Sequence, residues 1–273
     1  MSVKKEPSGR RSIQVEVEVP GTPEQVWRAI SSGPGISSWF VPTKLEERQG
    51  GKMEMNFGPG ADAIATITSW EPPVRFSAES RHLGENAPAM ATEWFVEARE
   101  GGVCVVRVVH SLFAETDDWD GELEGTESGW PVYFRVLRLY LSKFSGMTGT
   151  SMVAVGSSTD SESQTWNKLC GQLGLSDRRE GQTCATGSDA PQFSGVVEWN
   201  GEQNSPPSLM LSLAAPAPGI ALFNASTCGG GVIVSLSSYM YGENAADAVA
   251  KQQNAWQTWL NQHFPIRVPD ATE

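Results

Sequence analysis

The sequence predicts an α+β protein built twice over, each copy a curved antiparallel sheet closed by one long carboxy-terminal helix, the second copy divergent. Three observations predict it. Short alternating strand patterns, punctuated by Gly and Pro, follow one another through each half. A segment with a wide apolar stripe at helical spacing closes each half, over Ser128 to Phe144 and Ala245 to Phe264. The punctuation of the first half then recurs in the second. The length of 273 residues suits two domains of roughly 130 residues each.

In the first half, Ile13 to Val19 alternates as Ile-Gln-Val-Glu-Val-Glu-Val, a half-buried strand ended by Pro20 and Gly21. Thr22 follows as a helix N-cap, with Pro23 at the first helical position and Gln25 completing a capping box. Val26, Trp27 and Ile30 give this helix its apolar side, and Gly33-Pro34-Gly35 stops it. A short helix or turn over Ile36 to Phe40 presents Trp39 and Phe40. Strands are predicted over Lys52 to Phe57, Ala63 to Trp70, Val74 to Ser80, Thr92 to Ala98 and Val103 to His110. Gly58-Pro59-Gly60 separates the first two, and Glu100-Gly101-Gly102 joins the last pair as a hairpin turn. An acidic loop leads into the long helix, whose apolar face carries Trp130, Phe134, Leu137 and Leu141. Such a stripe must be buried, and the concave face of the sheet is the available surface. A cavity between helix and sheet results unless large side chains fill it.

The second half repeats these signals. Ser161-Glu-Ser-Gln164-Thr-Trp166 reproduces Thr22-Pro-Glu-Gln25-Val-Trp27 in cap, glutamine and tryptophan. Val196 to Trp199 echoes Thr66 to Trp70, and Gly230 to Val234 echoes Gly101 to Val105. The closing helix carries Val249, Trp256, Trp259 and Leu260. A tandem duplication explains these coincidences in order. The expected organisation is a disordered leader over 1–11, a first domain over 12–146, a second over 150–266 and a tail over 267–273. The two copies can pair as a pseudo-dimer.

The formal charge of −12 argues against a nucleic-acid backbone as partner, because phosphate binding requires clustered cations. The excess is shared, with 15 Lys/Arg against 21 Asp/Glu in residues 1–145 and 5 against 11 in 146–273. No apolar run reaches the roughly 18 residues needed to span a bilayer. The start of the chain shows no secretory pattern. The four cysteines form no CxxC pair and no metal-ligand spacing, so they read as small apolar residues of a cytoplasmic protein. No metal and no cofactor are called for.

The stretches Thr22 to Ile30, Ile36 to Phe40, Gly50 to Gly58, Trp70 to Phe76, Val108 to Ser111 and Gly129-Trp130 resemble, in the same order, the activator-of-heat-shock-ATPase-like family. This family lies within the SRPBCC (START, or birch-pollen-allergen-like) superfamily. The resemblance implies the helix-grip fold for the first half. It implies less about activity, since that superfamily includes lipid and hormone carriers, polyketide cyclases and co-chaperones that stimulate a heat-shock ATPase in the stress response. Fold does not fix function.

The ligand-binding candidates are the aromatic residues expected between sheet and helix, namely Trp39, Phe40, Phe57, Trp70, Phe76, Trp94, Trp130 and Phe134, together with Val108 and His110. Such rings either pack as core or line a pocket for a small apolar ligand. Cys104, Val106 and Val108 share strand parity with His110, which aims the imidazole inward, where it can bond a polar group or act as an acid or base. His82 and His263 have no convergent partners. The seven acids from Glu115 to Glu127 lack the register of a calcium loop and read as a solvated loop at the pocket mouth. Neither a Gly-x-Ser-x-Gly elbow nor a His-Glu-x-x-His motif is present, so no catalytic residue is named. The function expected is non-catalytic binding of a lipid or aromatic metabolite. A co-chaperone-like module docking a protein partner is the first alternative, and a cyclase- or hydratase-like enzyme using His110 the second.

Overall fold

The computed structural model describes residues 3–58, 62–81, 87–201, 206–228 and 231–266. The chain forms two compact units, Met1–Thr148 and Gly149–Glu273. Among the described residues no helix is long and apolar enough to cross a membrane. The tail over 267–273, His82, and parts of the turns at Gly58–Gly60 and Cys228–Gly231 lie outside the described residues.

In the first unit the strands are β1 (Lys4–Lys5), β2 (Arg10–Pro20), β3 (Thr43–Leu45), β4 (Lys52–Asn56), β5 (Asp62–Glu71), β6 (Arg75–Ser80), β7 (Met90–Arg99) and β8 (Val103–Phe113). They form one antiparallel sheet in the order β1-β2-β8-β7-β6-β5-β4-β3. The helices are α1 (Pro23–Ser31), α2 (Gly33–Ser37) and α3 (Asp120–Lys143). Thr22 and Gln25 form the reciprocal capping box that starts α1. Gly101 and Gly102, with φ of 80° and 73°, supply the left-handed turn that joins β7 to β8.

Two expectations are corrected here. Residues 3–11 are not a disordered leader: Lys4 and Lys5 pair with Ser12 and Arg11. Gly9, at φ 81°, turns the chain back, and the Gly9 N–H donates to the Glu6 carbonyl at 3.0 Å. Charge holds this hairpin down. Lys5 Nζ lies 3.0 Å from Asp117 and 2.8 Å from Asp120, while the buried Arg11 reaches each of the same carboxylates at 2.6 Å.

The acidic stretch is likewise not a loop. A 3-10 turn over Asp117–Trp119 leads into α3, which begins at Asp120 rather than Ser128. Pro131, which in sequence favours a helix start, lies inside the helix. Asp120 and Glu122 occupy the first turn, where negative charge suits the helix dipole. Leu123 is fully buried in a cluster with Ile13, Met90 and Leu112, so tertiary packing carries the added turns.

The second unit contains β9 (Gly149–Ser158), α4 (Glu162–Leu173), β10 (Thr183–Ala185), β11 (Ser194–Asn200), β12 (Ser208–Ala215), β13 (Gly219–Cys228), β14 (Gly231–Tyr241) and α5 (Ala245–His263). Its sheet order is β10-β11-β12-β13-β14-β9. The first strand pairs with the last, as β2 pairs with β8, and the others follow in reverse order. Ser161 and Gln164 repeat the capping box. A β-bulge follows Ile67 in β5, and another follows Val197 at the matching place in β11. The fold is therefore helix-grip in both copies, with β1, α2 and β3 lacking counterparts among the described residues of the second. Gln257 binds the outer edge of β9, accepting from Val155 N–H at 3.1 Å and donating to Val155 C=O at 2.7 Å. That contact blunts an otherwise open strand edge.

Candidate functional site

The first unit holds a cavity of about 520 Å³ between the concave face of its sheet and α3. Small side chains on the central strands make the room. Ala63 and Ala65 point inward from β5, and Ala78 and Ser80 do so from β6. The bulkier Ile64 faces solvent at 55% exposure, so alternation of apolar residues is inverted at this point.

The end wall is built by the turn after α1. A Cβ at Gly35 would collide with the Arg28 carbonyl, so only glycine lets α2 fold back onto α1. The indole N–H of the buried Trp39 then donates to the Ala29 carbonyl at 2.9 Å. This places Phe40 against α3, with ring centroids 5.3 Å from Trp130 and 4.8 Å from Tyr133. Trp94 stands on β7, perpendicular to Trp130 at 5.1 Å. On α3, the residues bordering the cavity include Gly125, Thr126 and Gly129, at the i, i+1, i+4 spacing of one helix face. A Cβ on Gly125 or Gly129 would meet nothing within 4 Å.

His110 is held on both sides. Its Nε2 accepts from the Trp130 indole N–H at 2.8 Å, and its Nδ1 lies 3.0 Å from the Thr92 hydroxyl. An indole nitrogen can only donate, so Nε2 carries no proton and the imidazole is the neutral Nδ1–H tautomer. The imidazole and indole rings also stack, with centroids 5.7 Å apart. This arrangement fixes the Trp130 ring as a wall of the cavity.

Residues 20–142 match the family model described as activator of Hsp90 ATPase homolog 1-like protein. The amino-terminal unit is similar to that family over this span. No curated protein matches the chain. Among solved structures, CalU16 from Micromonospora echinospora is 23% identical, over 52% of this chain and 83% of that one, with a TM-score of 0.41. DynU16, encoded in the dynemicin biosynthetic locus, is 14% identical over 91% of this chain and 95% of its own, with a TM-score of 0.43. BexL, a di-domain ARO/CYC of the BE-7585A biosynthetic pathway, is 14% identical over 94% and 100%, with a TM-score of 0.44.

In this activator-of-Hsp90-ATPase-homolog-like unit, seven sequence candidates border the cavity: Trp39, Phe40, Phe57, Phe76, Trp94, His110 and Trp130. Phe57 does so at the mouth, 44% exposed, rather than inside. Three others stand away from it. Trp70 faces the same side as its cross-strand partner Phe76 but lies under α1, 5.2 Å from Trp27. Val108 is fully buried in the sheet opposite Trp94. Phe134 packs as core against Trp130 at 5.3 Å. Sequence reasoning did not find the methionines Met53, Met55 and Met90, the small residues of β5 and β6, or Gly125, Thr126 and Gly129. The available signal was the set of alanines and serines at inward parity, together with helix glycines at four-residue spacing.

Proposed function

We propose that this chain binds a small apolar ligand, a lipid or an aromatic metabolite, in the cavity of its first unit without chemically altering it. The observation that carries the reading is the cavity itself. Its volume of about 520 Å³ lies in the range of small-molecule sites, and aromatic rings, methionines and small or aliphatic apolar side chains form most of its border. Thioethers adapt to ligands of different shape, whereas the rings fix the walls. The hydrogen-bonded His110 favours binding over catalysis, because the nitrogen that a general base would use already accepts from Trp130. The family match favours a second reading, a co-chaperone-like module, for which the exposed acids Asp118, Glu122 and Glu124 would offer a docking surface.

Thermal melts of the full chain against a panel of neutral lipids and polycyclic aromatics test the first reading. A binder should raise the melting temperature of wild type and leave Gly129→Leu unmoved. Gly129 borders the cavity, and a Cβ there would meet nothing within 4 Å. Leucine also gains about 1 kcal/mol or less of helix propensity over glycine, so the fold is kept. Equal shifts in wild type and variant, or none with any compound, would overturn the proposal.

A further inference from the structure

Building on the ligand-binding reading, we infer that the cavity selects a neutral carbonyl compound, a ketone or quinone on an apolar body, and that the Thr92 hydroxyl donates to its oxygen. Thr92 borders the cavity from β7, at the strand parity of Met90 and Trp94, which border it too. The Trp130 indole donates to His110 Nε2, so the one ring proton of His110 sits on Nδ1. Nδ1 lies 3.0 Å from Thr92 Oγ1, and the threonine oxygen is therefore the acceptor of this contact. The hydroxyl keeps its own hydrogen. Among the described residues Thr92 Oγ1 has no second hydrogen-bond partner to take it.

The neighbours of Thr92 leave that hydrogen to the cavity. Across the sheet it faces His110 on β8 and Ala78 on β6. The first is already a donor to it, and the second ends in a methyl group that also borders the cavity and leaves room beside the hydroxyl. A wholly hydrocarbon ligand would leave the O–H unsatisfied, whereas an oxygen acceptor restores its hydrogen bond. Indole N–H, imidazole N–H and hydroxyl O–H run head to tail, so each polarises the next and the last becomes the stronger donor. Among the described residues that border the cavity none is Lys or Arg, so a carboxylate would lose hydration without gaining a cation. The oxygen recognised is therefore a neutral one.

Equilibrium dialysis of the full chain against three flat tricyclic compounds tests this: 9-fluorenone with a carbonyl, fluorene with a methylene and carbazole with an N–H at the same place. Fluorenone should bind about fivefold more tightly than fluorene, the ratio that one net hydrogen bond gives. Thr92→Val should remove that ratio without weakening fluorene, and Thr92→Ser should restore it. The infrared carbonyl stretch of bound fluorenone should lie lower in wild type than in Thr92→Val. Equal binding of fluorenone and fluorene by wild type would overturn the carbonyl selection while the cavity reading survives. So would a ratio that persists in Thr92→Val, or carbazole binding as tightly as fluorenone, since the hydroxyl would then be accepting. If none of the three binds, the carbonyl selection and the cavity reading fall together.

Discussion

Where the sheet of the first unit carries Ala78, Thr92 and His110 in one cross-strand row, the sheet of the second carries Leu211, Ala221 and Ser238. The adjacent row reads Phe76, Trp94, Val108 in one and Leu209, Phe223, Leu236 in the other. Register is shared because both rows are fixed by the same bulge, after Ile67 and after Val197. The helices differ more. Gly125, Thr126 and Gly129 on α3 border open space, whereas α5 brings in Trp256, fully buried, 4.9 Å from Phe193 and 5.6 Å from Phe223. One strand order thus supports either a cavity or a packed core, according to side-chain volume at a few inward positions. Polar groups follow the same division. The Trp130 indole meets His110 in the first unit, while in the second, among the described residues, neither the Trp256 indole nor the Ser238 hydroxyl has a hydrogen-bond partner.

The largest expected effect comes from exchanging side chains at the matched position. Leu211→Ala removes a fully buried side chain from a packed core and should lower the stability of the second unit by about 3 kcal/mol. Ala78→Leu extends into the existing cavity and should change the stability of the first unit by less than about 1 kcal/mol while abolishing ligand binding. Denaturant unfolding with separate signals for each unit reads both. Similar losses at the two positions would show that the first interior is as tightly filled as the second.

Features that the units share should give equal effects. Thr22→Ala and Ser161→Ala each remove one capping box and should each cost about 1 kcal/mol in the transition of the affected unit. A loss at only one of the two would break the equivalence of α1 and α4.

The smallest effect belongs to the β1–β2 hairpin, which has no counterpart among the described residues of the second unit. Hydrogen bonds from Lys5, and then from Arg11, hold the carboxyls of Asp117 and Asp120 below the ordinary carboxylate range. A lowered folded pKa contributes stability that is fully present above the unfolded value, near pH 4, and is lost as pH falls through the folded value. Lys5→Ala should therefore lower the melting temperature of the first unit at pH 7, and the two proteins should converge as pH falls through the depressed folded value of these carboxyls. A difference that persists unchanged into acid would assign the effect of Lys5 to something other than these carboxylates.

Local pattern made much of this fold legible. Both capping boxes, the Gly101-Gly102 hairpin and most strands could be read directly, because each depends on residues adjacent in sequence. The start of α3 could not, since Pro131 gives a strong local start signal that the burial of Leu123 overrides from a distance. The site was legible in part. Strand parity turned His110 inward, and it borders the cavity, but parity gives the face of a sheet and not the position along it, and Trp70 lies under α1 instead of in the cavity. Ile64 faces solvent while Ala63 and Ala65 lie inside. Hydrophobic alternation assigns the larger apolar residue to the interior, and a strand that lines a cavity reverses that assignment.

Native mass spectrometry of the full chain with the neutral dye N-phenyl-naphthylamine tests the contrast between the units most directly. Wild type should hold one dye per chain, and Ala78→Leu and Gly129→Leu should each hold none. Two dyes per chain, or one that persists in both variants, would contradict the assignment of the ligand cavity to the first unit.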